Sequence, residues 1–250
     1  MAKKSKLEVK NVSKYFYRSD TNSITHAIKE VSFEASNGEF ISIVGPSGCG
    51  KSTILRMIAG LIVPTMGELT LDGERITGPN ADKGLVFQQH GLFPWLTVGE
   101  NVAFGLKGQD KAKVSEKVDE LIDMVGLNDF KDSYPHQLSG GMAQRVALIR
   151  TMIVEPAVFL LDEPFGALDA FTRLAMQDEL LKVWRTNNPI MIMVTHDIDE
   201  AIYMSNRVLI MKPNPGEIKE DLIIDLPYPR DRLSDKFIEY RKHIIETLEF

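Results

Sequence analysis

Five short apolar runs punctuate the chain: FISIVG at 40–45, GLVFQ at 84–88, VFLLDE at 158–163, IMIMVTH at 190–196 and RVLIM at 207–211. Each is a continuous hydrophobic stretch, rich in β-branched residues, that stops at a polar group or glycine. Such runs predict strands covered on both faces, the habit of a parallel sheet. Helix-length amphipathic segments lie among them at 114–125, 141–153, 170–186 and 233–249. Alternating strands and helices predict an α/β fold whose ligands sit at the carboxyl ends of the strands. The first part of the chain differs. LEVKNV, AIKEVSFEA and GELTLDG alternate apolar and polar residues between turns, which predicts a partly antiparallel sheet. From about residue 89 to 156 no strand pattern is evident, and a helical insertion is expected. The segment after Lys212 carries four prolines before the last helix and reads as an edge strand and loop.

Composition narrows the function classes. With 250 residues, 44% hydrophobic and 26% charged, the chain fits one large domain with a proper core. The expected division is a core with its β subdomain over 1–88 and 157–250, and a helical subdomain over 89–156. A net charge of −6 argues against a nucleic-acid partner, which asks for a basic footprint. The single cysteine, Cys49, excludes a disulfide framework and fits a reducing compartment. MAKKSKLEVK has lysines without an apolar stretch behind them, so a secretory signal is not expected. All the apolar runs fall well short of the ~20 residues a membrane span needs, so any membrane role would be peripheral.

Two segments are built to bind phosphate. Gly45-Pro46-Ser47-Gly48-Cys49-Gly50-Lys51-Ser52-Thr53 fits the Walker A pattern and lies between a predicted strand and the amphipathic run STILRMIAGL, the context that pattern requires. Its glycines let backbone N–H groups approach the phosphates. Lys51 would reach the β/γ-phosphates, and Ser52 would ligate Mg²⁺. Cys49 reads as a small filler. The second segment, Leu138-Ser139-Gly140-Gly141-Met142-Ala143-Gln144-Arg145, puts a serine and two glycines at the positive end of a predicted helix. One nucleotide does not need two cradles on one domain.

Polar groups at other strand ends complete the candidate site. The run at 158–163 ends in Asp162 and Glu163. Asp-Glu-Pro also suits a turn, but beside a phosphate loop Asp162 would hold Mg²⁺ and Glu163 would polarise the attacking water. Gln88 and His196 end two further runs. Either alone reads as a structural polar group; their shared position favours water or Mg²⁺ coordination by Gln88 and a γ-phosphate contact by His196. Gln88 is preferred to its neighbours Gln89 and His90 because it terminates the apolar run.

These motifs, in this order from Leu7 to Asp231, resemble the ATPase subunit of an ABC transporter. Gly166-Ala167-Leu168-Asp169 resembles that family's D-loop, with glycine where serine is commoner. The resemblance implies an aromatic residue stacked on adenine. KYFYR offers Tyr15, Phe16 and Tyr17; spacing after Lys14 selects Phe16, and a core role for one of the three stays equally open. It implies a P-loop NTPase core and a head-to-tail dimer with two ATP molecules at the interface, Ser139, Gly140 and Gly141 contacting the γ-phosphate of the partner's ATP. Residues 91–98 (GLFPWLTV) and 226–230 (LPYPR) are similar to the nitrate/sulfonate/taurine/bicarbonate importer group. That likeness implies a membrane permease docked near Phe93, Pro94 and Trp95, an external solute-binding protein, a small anionic solute, and work at the cytoplasmic face of a bacterial inner membrane. Three classes compete at this stage: an importer motor, a soluble ABC ATPase and a metabolic P-loop kinase. An ATPase of a lipid or export system is also open. LSGGMAQR and His196 would have no task in the kinase.

Overall fold

The computed structural model describes residues 5–18, 22–88 and 91–248; Gln89 and His90 lie outside them. Two long strands open the chain, β1 (Lys6–Arg18) and β2 (Ser23–Ser36), paired antiparallel. Strand β3 (Phe40–Val44) is buried along its whole length and leads through the Walker A loop into α1 (Lys51–Ile58). Then come β4 (Met66–Leu71), the two-residue β5 (Glu74–Arg75) and β6 (Lys83–Val86). The next stretch is helical: α2 (Val98–Ala103), α3 (Lys111–Met124) and α4 (Gly140–Met152). Strand β7 (Val158–Asp162), α5 (Ala170–Asn187), β8 (Ile190–Val194), α6 (Ile198–Met204), β9 (Arg207–Lys212), β10 (Glu217–Ile223) and α7 (Asp235–Leu248) complete the chain.

The strands form two sheets. One is antiparallel, ordered β2-β1-β4-β5; the other has six strands ordered β10-β9-β3-β8-β7-β6. In the second every pair is parallel except β10 with β9. The expected α/β class with an antiparallel N-terminal sheet and an edge strand near the C-terminus holds. Period-two alternation divides the parallel strands between separate cores. Ile41, Ile43, Leu160 and Ile192 pack with α1 and the antiparallel sheet. Phe40, Phe159, Leu161, Met191 and Met193 face α4, α5 and the helices around 98–125. Val44, Val208 and Ile210 meet α6 and α7.

The parallel strands end earlier than their apolar runs suggest. Strand β6 stops at Val86 and β8 at Val194, so Gln88 and His196 lie in the following loops. The ladder sets these limits: Val86 pairs with Leu161 and Val194 with Asp162, each the last position in register. Beyond Val194, Asp197 turns the chain by capping α6, accepting from the Glu200 N–H at 3.0 Å. Helices α2 and α6, six and seven residues long, are too short to leave a clear periodic signal. A capping box between Thr97 and Glu100 holds α2 in place of length.

Candidate nucleotide site

The Walker A loop crosses from β3 to α1 under tight packing. Gly50 is the N-cap of α1 at φ 94°, a backbone conformation that costs glycine little. A Cβ there would come within 2.2 Å of Ile28 Cδ1. Lys51 is almost fully buried, and its ammonium donates to the carbonyls of Gly45 at 2.8 Å and Pro46 at 3.1 Å. Ser52 donates its hydroxyl to Asp162 Oδ1 at 2.8 Å. Burial pushes the Asp162 carboxyl above its usual range, and the Ser52 hydrogen bond opposes this.

A cavity of about 480 Å³ opens above the loop. Ser47, Gly48, Gly50, Lys51, Ser52 and Thr53 form one side of it, and Gln88, Glu163 and His196 the other. Ala27 of β2 completes the wall; no sequence signal pointed to it. Gln88 Nε2 donates to Glu163 Oε2 at 3.2 Å, and His196 Nδ1 lies 3.4 Å from that same oxygen. Three loops from three strands thus meet at one carboxylate. Glu163 has φ 49°, a strained backbone for a non-glycine residue and of a kind found at functional sites. Its N–H is held by the Val194 carbonyl at 2.9 Å.

Several predicted residues lie elsewhere. The Cys49 side chain is fully buried in the core beside Ile41 and Ile54, and burial pushes its thiol up. Gly45 and Pro46 meet Lys51 through their carbonyls and do not line the cavity. Asp169 caps α5, accepting from the N–H groups of Phe171 and Thr172 at 3.1 and 3.0 Å. The Thr172 side chain foremost, and then these backbone bonds, hold its carboxyl below the usual range. Tyr15 stacks on His26 with ring centroids 4.1 Å apart, and Tyr17 bonds Asn22. The Phe16 ring is about one-third exposed and meets the Lys14 ammonium at 5.2 Å. No Phe, Tyr or Trp lines the cavity among the described residues.

Ser139 caps α4 and accepts from the Met142 N–H at 3.3 Å. No acidic residue stands in the first turn of this helix, so its positive end is uncompensated. Ser139 and Gly140 are exposed, and no residue of 138–145 lines the cavity. A Cβ on Gly141 would touch Leu168 Cδ2 at 3.3 Å, so the signature segment, residues 138–145, packs against residues 166–169.

The oxygen donors at the loop suit Mg²⁺. Ser52 Oγ and the Asp162 carboxylate are hard ligands of the type this ion takes, one or two from protein and the rest from phosphate and water. Among the described residues no group of three or more His, Cys, Asp or Glu side chains could cage a metal without such help.

The profile of the ABC transporter family matches residues 28–166. The chain belongs to the ABC transporter ATPases. It is 49% identical to the aliphatic sulfonates import ATP-binding protein SsuB of Bacillus cereus, over 98% of this chain and 96% of that one. It is 50% identical to an uncharacterized ABC transporter ATP-binding protein of Methanocaldococcus jannaschii, over 98% and 92%. A solved ATP-binding cassette, MJ0796, a dimer in a post-hydrolysis state with ADP and Pi, superposes at TM-score 0.80 with 33% identity. The match covers 88% of this chain and all of that cassette. As a member of this family the ABC ATPase binds ATP and hydrolyses it.

Proposed function

We propose that this chain is the motor subunit of an importer for a small anionic solute, working as a dimer in which each ATP lies between two subunits. The observation that carries this reading is the separation of the two phosphate cradles. The Walker A cavity holds Lys51, Glu163 and His196, whereas Ser139 and Gly140 are exposed and do not line that cavity. A second copy, turned head to tail, would bring its Ser139, Gly140 and Gly141 to the first copy's γ-phosphate.

Within one cavity the division of labour follows from charge. The Lys51 ammonium would leave the two carbonyls for the β/γ-phosphates. Mg²⁺, held by Ser52 and Asp162 with help from Gln88, would neutralise developing charge on the phosphates. Glu163 accepts the proton of the attacking water as the bond to the leaving ADP oxygen breaks. His196 holds both the Glu163 carboxylate and the γ-phosphate. Phe16 stacks on adenine, its aromatic face being sufficient for any base. Loss of the γ-phosphate removes the charge that bridges the subunits, so the dimer opens.

Supporting an anionic solute are the relatives named for aliphatic sulfonate import. Transport requires a membrane permease, since no helix among the described residues is long and apolar enough to cross a membrane. The chain would work peripherally at the cytoplasmic face of the inner membrane, with an external protein delivering the solute. The helical part, 89–156, would form the permease-facing subdomain and the remainder the core.

Mixing two defective chains tests the composite site. Lys51→Ala and Ser139→Ala chains should each be inactive alone. Their mixed dimers hold one site with both defects and one with neither, so single-turnover hydrolysis should return on mixing. A mixture as inactive as its parts would place Ser139 in its own chain's site and end this reading.

A further inference from the structure

The loop that carries His196 rests on a buried polar cluster with no part in the chemistry described above. Glu200, in the first turn of α6, is 5% exposed. Its Oε1 accepts from Gln177 Nε2 of α5 at 3.1 Å, and the nearby Thr195 side chain favours its charged form. Gln177 and Thr195 are 1% and 2% exposed. Gln177 Oε1 accepts in turn from the Arg232 guanidinium at 2.5 Å. Thr195 Oγ1 accepts from the Asp197 N–H at 3.0 Å, and Asp197 Oδ1 from the Glu200 N–H at 3.0 Å. A chain of bonds from Thr195 through Asp197 to Glu200 therefore brackets His196 on both sides. Arg173 stands 3.7 Å from Asp197 and donates to the Leu168 carbonyl at 3.3 Å, bringing the D-loop to the same cluster.

Burying three polar groups in one place, Gln177, Thr195 and Glu200, is costly unless their bonds are made, and such networks fix geometry where they occur. The same helix is gripped at other points. Arg230, buried, donates to the carbonyls of Ile202 and Ser205 at the end of α6, and Arg241 of α7 pairs with Asp199 in its first turn. Helix α6 is thus bonded at both ends, and the loop before it is joined to its first turn through Thr195 and Asp197.

We propose that Glu200 is a positioning residue for His196, tying the loop 195–197 to α5 through Gln177 and to the C-terminal segment through Arg232. This rests on the reading of His196 as a γ-phosphate contact. The C-terminal segment is thus wired to the loop that carries His196, and displacement of Arg232 would be felt there.

The test uses the full chain with ¹⁵N-labelled histidine. The protein has five histidines, and the His196 ring resonances are those that vanish in His196→Ala. Glu200→Ala should move or broaden them and lower kcat for ATP about tenfold with KM nearly unchanged, the mark of a misplaced group. Glu200→Gln, which can accept from Gln177 and donate to Thr195, should restore both readouts. Arg232→Ala, at the far end of the chain of bonds, should shift the same resonances with a smaller loss of kcat, and it decides the matter if Glu200→Ala does not fold. Unmoved His196 resonances and unchanged kcat, with only a lowered Tm, would overturn the proposal. Wild-type kcat in His196→Ala would instead overturn the role given to His196, while the ring resonances would still report whether Glu200 positions it.

Discussion

At the scale of single residues, the informative feature is how many groups converge on one carboxylate oxygen. Glu163 Oε2 accepts from Gln88 and lies beside His196, so its orientation is set before any substrate arrives. The residues of the Walker A loop were legible in the sequence because their spacing is itself the chemistry: backbone amides, an ammonium and a hydroxyl within one turn. Asp169 and Cys49 were not separable from the ligand-facing residues in that way. A motif fixes residue types but not which of them spend their polar atoms on a helix cap or their volume on the core. Glu200 left no signal of its own, since its meaning depends on Gln177 and Arg232, distant in sequence. Its burial raises the carboxyl pKa above the ordinary 4.5, the main cause being loss of solvent, with Asp197 pushing the same way and Thr195, Gln177 and Arg173 opposing. The folded state then binds more protons than the unfolded one between these two values. Stability from this group is full below the unfolded pKa and declines as pH rises through the folded one. Denaturant titrations across pH should show Glu200→Gln gaining on the wild type as pH rises from about 4 toward neutrality. A constant difference over that range would contradict the assignment.

Elements meet the site from unexpected directions. The turn between β9 and β10 passes behind the Walker A loop. There Gly216 donates its N–H to the Ala27 carbonyl at 3.0 Å and accepts from the Lys29 N–H at 2.9 Å. A Cβ on Gly216 would fall 2.0 Å from the Cys49 carbonyl. This turn is a backstop for the loop, so Gly216→Ala should raise KM for ATP several-fold by displacing it. Gly84→Ala serves as the control: its Cβ would meet Thr151 Cγ2 at 2.5 Å, away from the cavity, and it should lower Tm while leaving KM alone. Equal KM values for the two variants would remove the backstop role. The strand pattern in the sequence placed β3, β7 and β8 closely because continuous burial on both faces leaves an unbroken apolar run. It overran β6 because Phe87, past the last ladder position, stays apolar while exposed, and β8 because Thr195, past its last ladder position, stays buried. The proline-rich segment signalled a turn, but nothing in it signalled that the turn would touch the phosphate loop.

At the scale of the whole molecule, two exposed features bear on the proposed partners. One is the loop 93–97, whose shape is set by Asn101. That side chain is fully buried and donates to the carbonyls of Phe93, Leu96 and Thr97 at 3.1, 3.0 and 2.9 Å. The loop presents Trp95, 69% exposed, beside Phe93. An aromatic anchor on a rigid loop suits a protein interface. Trp95→Ala should abolish copurification with the permease while leaving ATP hydrolysis by the isolated chain intact; unchanged copurification would move the docking site elsewhere. The other is the signature helix end at Ser139, exposed and outside the cavity. A cradle for phosphate that does not line its own chain's cavity has a use when a second chain supplies the nucleotide. The most direct test is the solution mass of Glu163→Gln, which should bind ATP without hydrolysing it. Light scattering with Mg²⁺ and saturating ATP should give twice the mass of one chain, falling to a single chain with ADP. A single-chain mass at saturating ATP, with nucleotide demonstrably bound, would contradict the shared site.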